Sequence, residues 1–241
     1  MKGTHMQEDV KIKLQYHPNL NQKIWQLNNK IRPELRQKLL QFAKTWQVFA
    51  GIPNSAVTDV ILTGGNANYN YTPFSDLDVH LLVDRSKLTM FGAKLDDQMM
   101  AKKQLWTLTH DVKVLGYPLE PYAQDKDAKF PKGQGVYSLK KDVWLQEPVF
   151  ETGIDFKNDP RLKQKVQHYM DLIDDIIKHK MSQSAVDAMK TKLWTMRNAA
   201  ISKGGEFSFE NLVYKELRNQ GYLDKLSAYS KARLDKKLSL K

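Results

Sequence analysis

"LTGGNANYNYTPFSDLDVHLLVD", Leu62 to Asp84, is the stretch on which the fold turns. It begins where an apolar run, "VTDVILT" from Val57 to Thr63, breaks at Gly64 and Gly65. A polar loop carrying Tyr69 and Tyr71 follows, and the chain then enters a second apolar run through Leu77, Val79, Leu81, Leu82 and Val83. Side chains alternate along a strand, so Asp76, Asp78, His80 and Leu82 share one face while Leu77, Val79 and Leu81 share the other. Both carboxylates therefore point the same way, about 7 Å apart at ~3.3 Å per residue. Acids are poor strand formers, and like charges on one face repel. A hard cation such as Mg2+, which prefers oxygen ligands, is the compensation this pattern asks for. The glycines let a backbone approach an anion closely, and amides there can cradle phosphates. Taken singly the parts are weak. A DxD pair is common on solvated strand ends, a GG pair is usually a turn, Asp84 suits a cap, and His80 suits packing beside the acids.

Composition narrows the classes. The 241 residues support one compact domain or two small ones. No apolar run approaches the ~20 residues needed to cross a membrane, and no secretory signal is present. "MKGTHM", residues 1–6, reads as a cloning leader. With no cysteine, disulfide scaffolds and thiolate metal sites are excluded, in keeping with a cytoplasmic location. The six histidines show no paired ligand spacing such as HExxH, which argues against zinc. The formal charge of +11 favours anionic partners. From Asp159 to Lys241, 17 Lys and Arg stand against 10 Asp and Glu, so +7 of that excess sits in the last third, with a cluster at Lys231, Arg233, Lys236 and Lys237. A solvated helical face and a nucleic-acid surface both fit such a run.

The remaining chain reads mainly as helices. Pro33 opens a helix whose apolar positions are Leu35, Leu39, Phe42, Ala43, Trp46 and Phe49, and Gly51 closes it. "MFGAKLDDQMMAKKQLWTLTHDV", from Met90, is read as helical with Leu95, Met99, Leu105 and Leu108 buried. "YPLEPYAQD", from Tyr117, is read as an edge or bulged strand, because Pro118 and Pro121 cannot donate to a ladder. "GVYSL" and "VWLQEPV" form a hairpin across "KKD". Asp159 caps a helix with Pro160 at its first position and Leu162, Val166, Ile173 and Ile177 as its apolar stripe. A second helix ends at Gly204 and Gly205, and a third begins at Ser208, with Phe207 stapling onto Leu212.

Gly64-Gly65, a ten-residue gap, then Asp76-Leu77-Asp78 ahead of an apolar strand resembles the signature of the DNA polymerase beta-like nucleotidyltransferase superfamily. Over most of its length the chain is similar to small nucleotidyltransferases encoded in tailed-phage genomes. The resemblance implies an α+β fold, a nucleotidyltransferase-like mixed sheet with flanking helices, followed by a helical C-terminal part. The parts expected are a helical lead-in at 7–55, a catalytic domain at 56–152 and a basic helical domain at 153–241. The resemblance further implies transfer of a nucleoside monophosphate, from ATP or another NTP, to an acceptor hydroxyl with release of pyrophosphate. Asp76 and Asp78 would bind Mg2+ or Mn2+, and Glu120 matches the family's third carboxylate. Gly64, Gly65, Asn66, Ser75 and Tyr71 would meet the nucleotide. Position 65 is Gly where many relatives carry Ser. The family's acceptors range over nucleic-acid 3′ ends, antibiotics, small nucleotides and protein side chains, and fold does not choose among them. The basic last third points to RNA or another nucleic acid, bound through the C-terminal helices. The alternatives are a small-molecule or protein acceptor, or a catalytically inert fold that binds RNA or a partner protein.

Overall fold

The computed structural model describes residues 10–88 and 95–239. The chain divides into two compact units, one joining the chain up to Gln15 with that from Gly153 onward, the other spanning Tyr16–Thr152. The expected leader at 1–6 and the stretch Met90–Lys94 lie outside the described residues.

The middle unit is built on six strands: β1 (Val57–Thr63), β2 (Leu77–Val83), β3 (Lys113–Val114), β4 (Tyr117–Asp125), β5 (Val136–Ser138) and β6 (Val143–Gln146). Their order is β3-β4-β2-β1-β5-β6. β2 and β4 run parallel, and the other pairs are antiparallel. This is the mixed sheet with flanking helices that the sequence led us to expect. β1 is central, and from Asp59 to Thr63 every residue is buried, as a strand covered on both faces must be. The faces part as the alternation requires. Leu77, Val79, Leu81 and Val83 join the main core with Val60, Leu62, Leu119 and Ala123, whereas Leu82 packs with Ile61 and Val136 on the other side.

Helix α1 (Pro33–Ala50) starts at its proline and stops at Gly51, whose left-handed φ of 75° a residue with a Cβ would resist. Helix α2 (Leu95–Thr109) supplies the other helical cover of the core. Among its described side chains the buried ones are Met99 and Trp106; Leu105 and Leu108, expected inside, are 49% and 83% exposed, and the Leu95 side chain lies outside the described part. Trp106 follows Met99 by seven positions, two helical turns, and Leu105, one position before Trp106, and Leu108, two after it, turn away from that side. Trp106 packs edge-on against Phe42, Trp46 and Phe49 of α1.

β4 also differs from expectation. It is neither bulged nor an outermost strand: β3 lies beyond it, and its pairing with β2 is unbroken from Leu77↔Leu119 to Val83↔Asp125. Pro121 is tolerated because β3 is two residues long and pairs only with Tyr117 and Pro118, leaving the outer rim of β4 edge-like beyond that point, and Pro118 lies ahead of the pairing with β2, which begins at Leu119. The hairpin of β5 and β6 turns at Asp142, which takes a φ of 61°.

The second unit holds α3 (Pro160–Lys178), α4 (Gln183–Gly204), α5 (Phe209–Asn219) and α6 (Tyr222–Leu238). Asp159 caps α3 through the amides of Arg161 and Leu162. The α3 stripe runs through Leu162, Val166, Tyr169, Ile173 and Ile176; Ile177 is only half-buried. Ser208 stands at the start of α5, but its hydroxyl donates to Gly205 O rather than capping the helix. Gly221, at φ 82°, turns the chain into α6, which the sequence alone did not separate from its predecessor. The N-terminal segment is tied to α5 by Glu216, which accepts from the Lys13 and Leu14 amides at 2.9 Å each. Burial pushes the Glu216 carboxyl up, against the pull of those hydrogen bonds. Among the described residues no helix is long and apolar enough to cross a membrane.

Candidate functional site

The parallel register of β2 and β4 builds the site. Asp78 stands beside Glu120, His80 beside Tyr122 and Leu82 beside Gln124, so the polar face of one strand continues into the polar face of the next. Asp76 precedes β2 by one residue and lies on the same face by alternation. Asp76, Asp78 and Glu120 are all half-buried, and one oxygen from each lies within 4.8 Å of the others. Three carboxylates at that spacing fit a hard divalent cation, which takes oxygen ligands at about 2.0–2.6 Å. His80 is not part of this group. Its Nδ1 bonds Gln124 Oε1 at 2.7 Å, and its ring meets Tyr122 edge-on. Burial lowers its pKa to about 4, so the ring is neutral near pH 7. Asp84 is the cap the sequence suggested, accepting from Ser86 N.

Gly64 follows Thr63, which pairs with Asp78 across β1 and β2. At φ 79°, a Cβ on Gly64 would fall 1.7 Å from Asp78 Oδ2. No side chain fits there, and the bare main chain lies against the acid. Gly65 opens a short 3-10 turn, Gly65–Ala67, and a Cβ on it would meet Ser75 Oγ at 3.0 Å. That hydroxyl occupies the space beside position 65, but it is engaged, accepting from Thr72 N at 2.9 Å.

Polar side chains fix the loop itself. Asn66 is fully buried, donating to Asp76 O and accepting from Asn21 Nδ2, each at 2.9 Å. Asn68 donates to Gly64 O at 2.7 Å and accepts from Gly135 N at 2.8 Å. Tyr71 stacks on His17 with ring centroids 3.9 Å apart. Asn66 and Ser75 thus spend their polar atoms on loop shape, while Gly64 and the three acids meet at one place.

Two residues of this region escaped the sequence reading. Gly135 is one: a Cβ there would strike Ala67 O at 2.0 Å, so β5 and the loop close together only with glycine. The other is Lys103 of α2, whose Nζ lies 2.7 Å from Glu120 Oε2. Burial acts to lower the Lys103 pKa, but Glu120, by charge and hydrogen bond, and then Asp78 and Asp76 outweigh it and raise it. The available signal was its place between Met99 and Trp106 at helical spacing, on the buried side of α2.

No family model matches the chain, and no curated protein matches it. Among solved structures, a STING-associated CdnE c-di-GMP synthase from Capnocytophaga granulosa is similar over 80% of this chain at 12% identity, with a TM-score of 0.23. This chain spans 63% of that protein's length. At so low a TM-score, the chemistry has to be read from this chain's own residues.

Proposed function

We propose that the protein is a divalent-ion-dependent nucleotidyltransferase, moving a nucleoside monophosphate from an NTP to an acceptor hydroxyl with release of pyrophosphate. The observation that carries this reading is the convergence of Asp76, Asp78 and Glu120 beside the bare backbone of Gly64. Asp76, Asp78 and Glu120 would hold Mg2+ or Mn2+, which would offset the triphosphate charge and lower the pKa of the acceptor hydroxyl. Asp76 and Asp78 would hold both ions of a two-metal site, and Glu120 would complete the site of the one on the acceptor side. Gly64 and Gly65 let the triphosphate lie against the main chain, where amides can face its oxygens. Asn66 and Ser75 keep the loop in the shape that permits this, and Tyr71 lines it. The acceptor oxygen bonds to the α-phosphorus, the bond from that phosphorus to the α–β bridging oxygen breaks, and the hydroxyl proton passes to the Glu120 carboxylate.

The acceptor in this reading is a nucleic-acid hydroxyl, RNA foremost. Its support is the excess of 17 basic over 10 acidic residues from Asp159 onward. Within that unit, Arg161 and Lys165 of α3 line a cavity of about 420 Å3 with Phe209, a pairing of cations and aromatic surface suited to single strands. A small-molecule acceptor is the competing outcome of the assay.

The experiment incubates the protein with each labelled NTP and Mg2+ or Mn2+, against pooled RNA, protein and small-molecule acceptors. Asp76→Ala and Asp78→Ala should each cost more than the roughly 10–100-fold that loss of an outer-shell partner costs a metal site. A double variant that turns over NTP like the wild type would move the chemistry elsewhere.

A further inference from the structure

We infer that Lys103 is a built-in competitor for the acceptor-side cation, so that a divalent ion reaches Glu120 only by displacing this ammonium. The inference rests on the reading of Asp76, Asp78 and Glu120 as a metal centre, and it adds how occupancy of that centre is controlled.

The ion pair is placed by the fold rather than by chance contact of surface chains. Trp106, three residues on from Lys103, is wedged between Phe42, Trp46 and Phe49, so the helix that delivers the ammonium is pinned. The Lys103 side chain is only 26% exposed, its Nζ is 2.7 Å from Glu120 Oε2, and the Tyr122 ring lies 5.9 Å from the same nitrogen. Glu120 in turn is held opposite Asp78 by the strand register. An ammonium so close to a carboxylate and a divalent ion on that same carboxylate repel strongly at the effective dielectric of a half-buried site. Each therefore weakens the hold of the other on Glu120. A bound triphosphate changes the balance, because its oxygens offer the displaced ammonium another anionic partner and bring charge that favours the metal. Glu120 is thereby kept from metal until nucleotide is present.

The test titrates Mn2+ into the full chain without nucleotide and follows free Mn2+ by electron paramagnetic resonance. Lys103→Met should tighten Mn2+ binding by about tenfold. Lys103→Arg should keep the wild-type affinity within about twofold, because the charge remains. In a Glu120→Gln background, Lys103→Met should have a smaller effect, since the direct ion pair is gone and only the longer-range influence of Lys103 on Asp76 and Asp78 remains. Thermal unfolding checks each variant, and Lys103→Gln repeats the titration if methionine disturbs the helix. Equal or weaker Mn2+ affinity in the folded variant lacking the charge overturns the inference while leaving the metal centre standing. Failure of both wild type and Lys103→Met to bind Mn2+ saturably overturns the metal centre, and the inference with it.

Discussion

A Cβ on Gly64 would fall 1.7 Å from Asp78 Oδ2, so the acid would have to move, and Gly64 is where the site is least forgiving. Gly64→Ala would meet two penalties together. Its φ of 79° lies where an L side chain is strained by about 1–3 kcal/mol, and the new methyl would push the Asp78 carboxylate out of place. The expected outcome is loss of divalent binding comparable to that of Asp78→Ala, with unfolding free energy reduced by about 1–3 kcal/mol. Gly65→Ala is the control, since its Cβ would meet only the Ser75 side chain, at 3.0 Å. Metal titration and urea unfolding of the two variants measure both effects. Equal metal affinities in Gly64→Ala and wild type would show that Asp78 is not held where the structure has it.

At the scale of elements, what could be read from sequence was what is local. A period of two places Leu77, Val79 and Leu81 against Asp76 and Asp78 without knowledge of any neighbour, and the clusters on the two faces of the sheet agree. The starts of α1 and α3 were legible for the same reason, since proline and the Asp159 cap act within one turn. What stayed hidden depends on partners far along the chain. The buried side of α2 is chosen by Phe42, Trp46 and Phe49, so Leu105 and Leu108 could not be ranked against Trp106 by apolarity alone. Lys103 was hidden likewise, because its meaning comes from Glu120 on another element. The placement of α2 is testable. Trp106→Ala should lower unfolding free energy by about 3–5 kcal/mol, as large-to-small changes of buried tryptophans do. Leu108→Ala should stay within about 0.5 kcal/mol, as substitutions on an exposed surface do. Similar losses in the two variants would return α2 to the orientation inferred from sequence.

For the whole molecule, the +11 charge bears on the acceptor. Of the four cations in the tail cluster, Arg233 already donates to Lys180 O at 3.1 Å, so replacing it would disturb the packing of α6 beside α3. Lys231, Lys236 and Lys237 are exposed and make the cleaner variant. If they contact single-stranded RNA phosphates, neutralising all three should flatten the log–log salt dependence of binding by about 2, at ~0.7 per contact, with NTP turnover unchanged. An unchanged slope would remove these lysines from any nucleic-acid surface. The pairing of β2 with β4 has a further consequence, for the order of events in folding. His80 bonds Gln124, 44 positions further along the chain, and Asp78 meets Glu120 in the register of the same two strands. Long-range parallel pairing is intrinsically slow, and it is this pairing that brings Glu120 to Asp76 and Asp78, so the unfolded chain lacks the full set of three. A cation that binds them binds only the finished structure. By mass action, free divalent ion that occupied such a site would then raise the equilibrium stability of the folded chain.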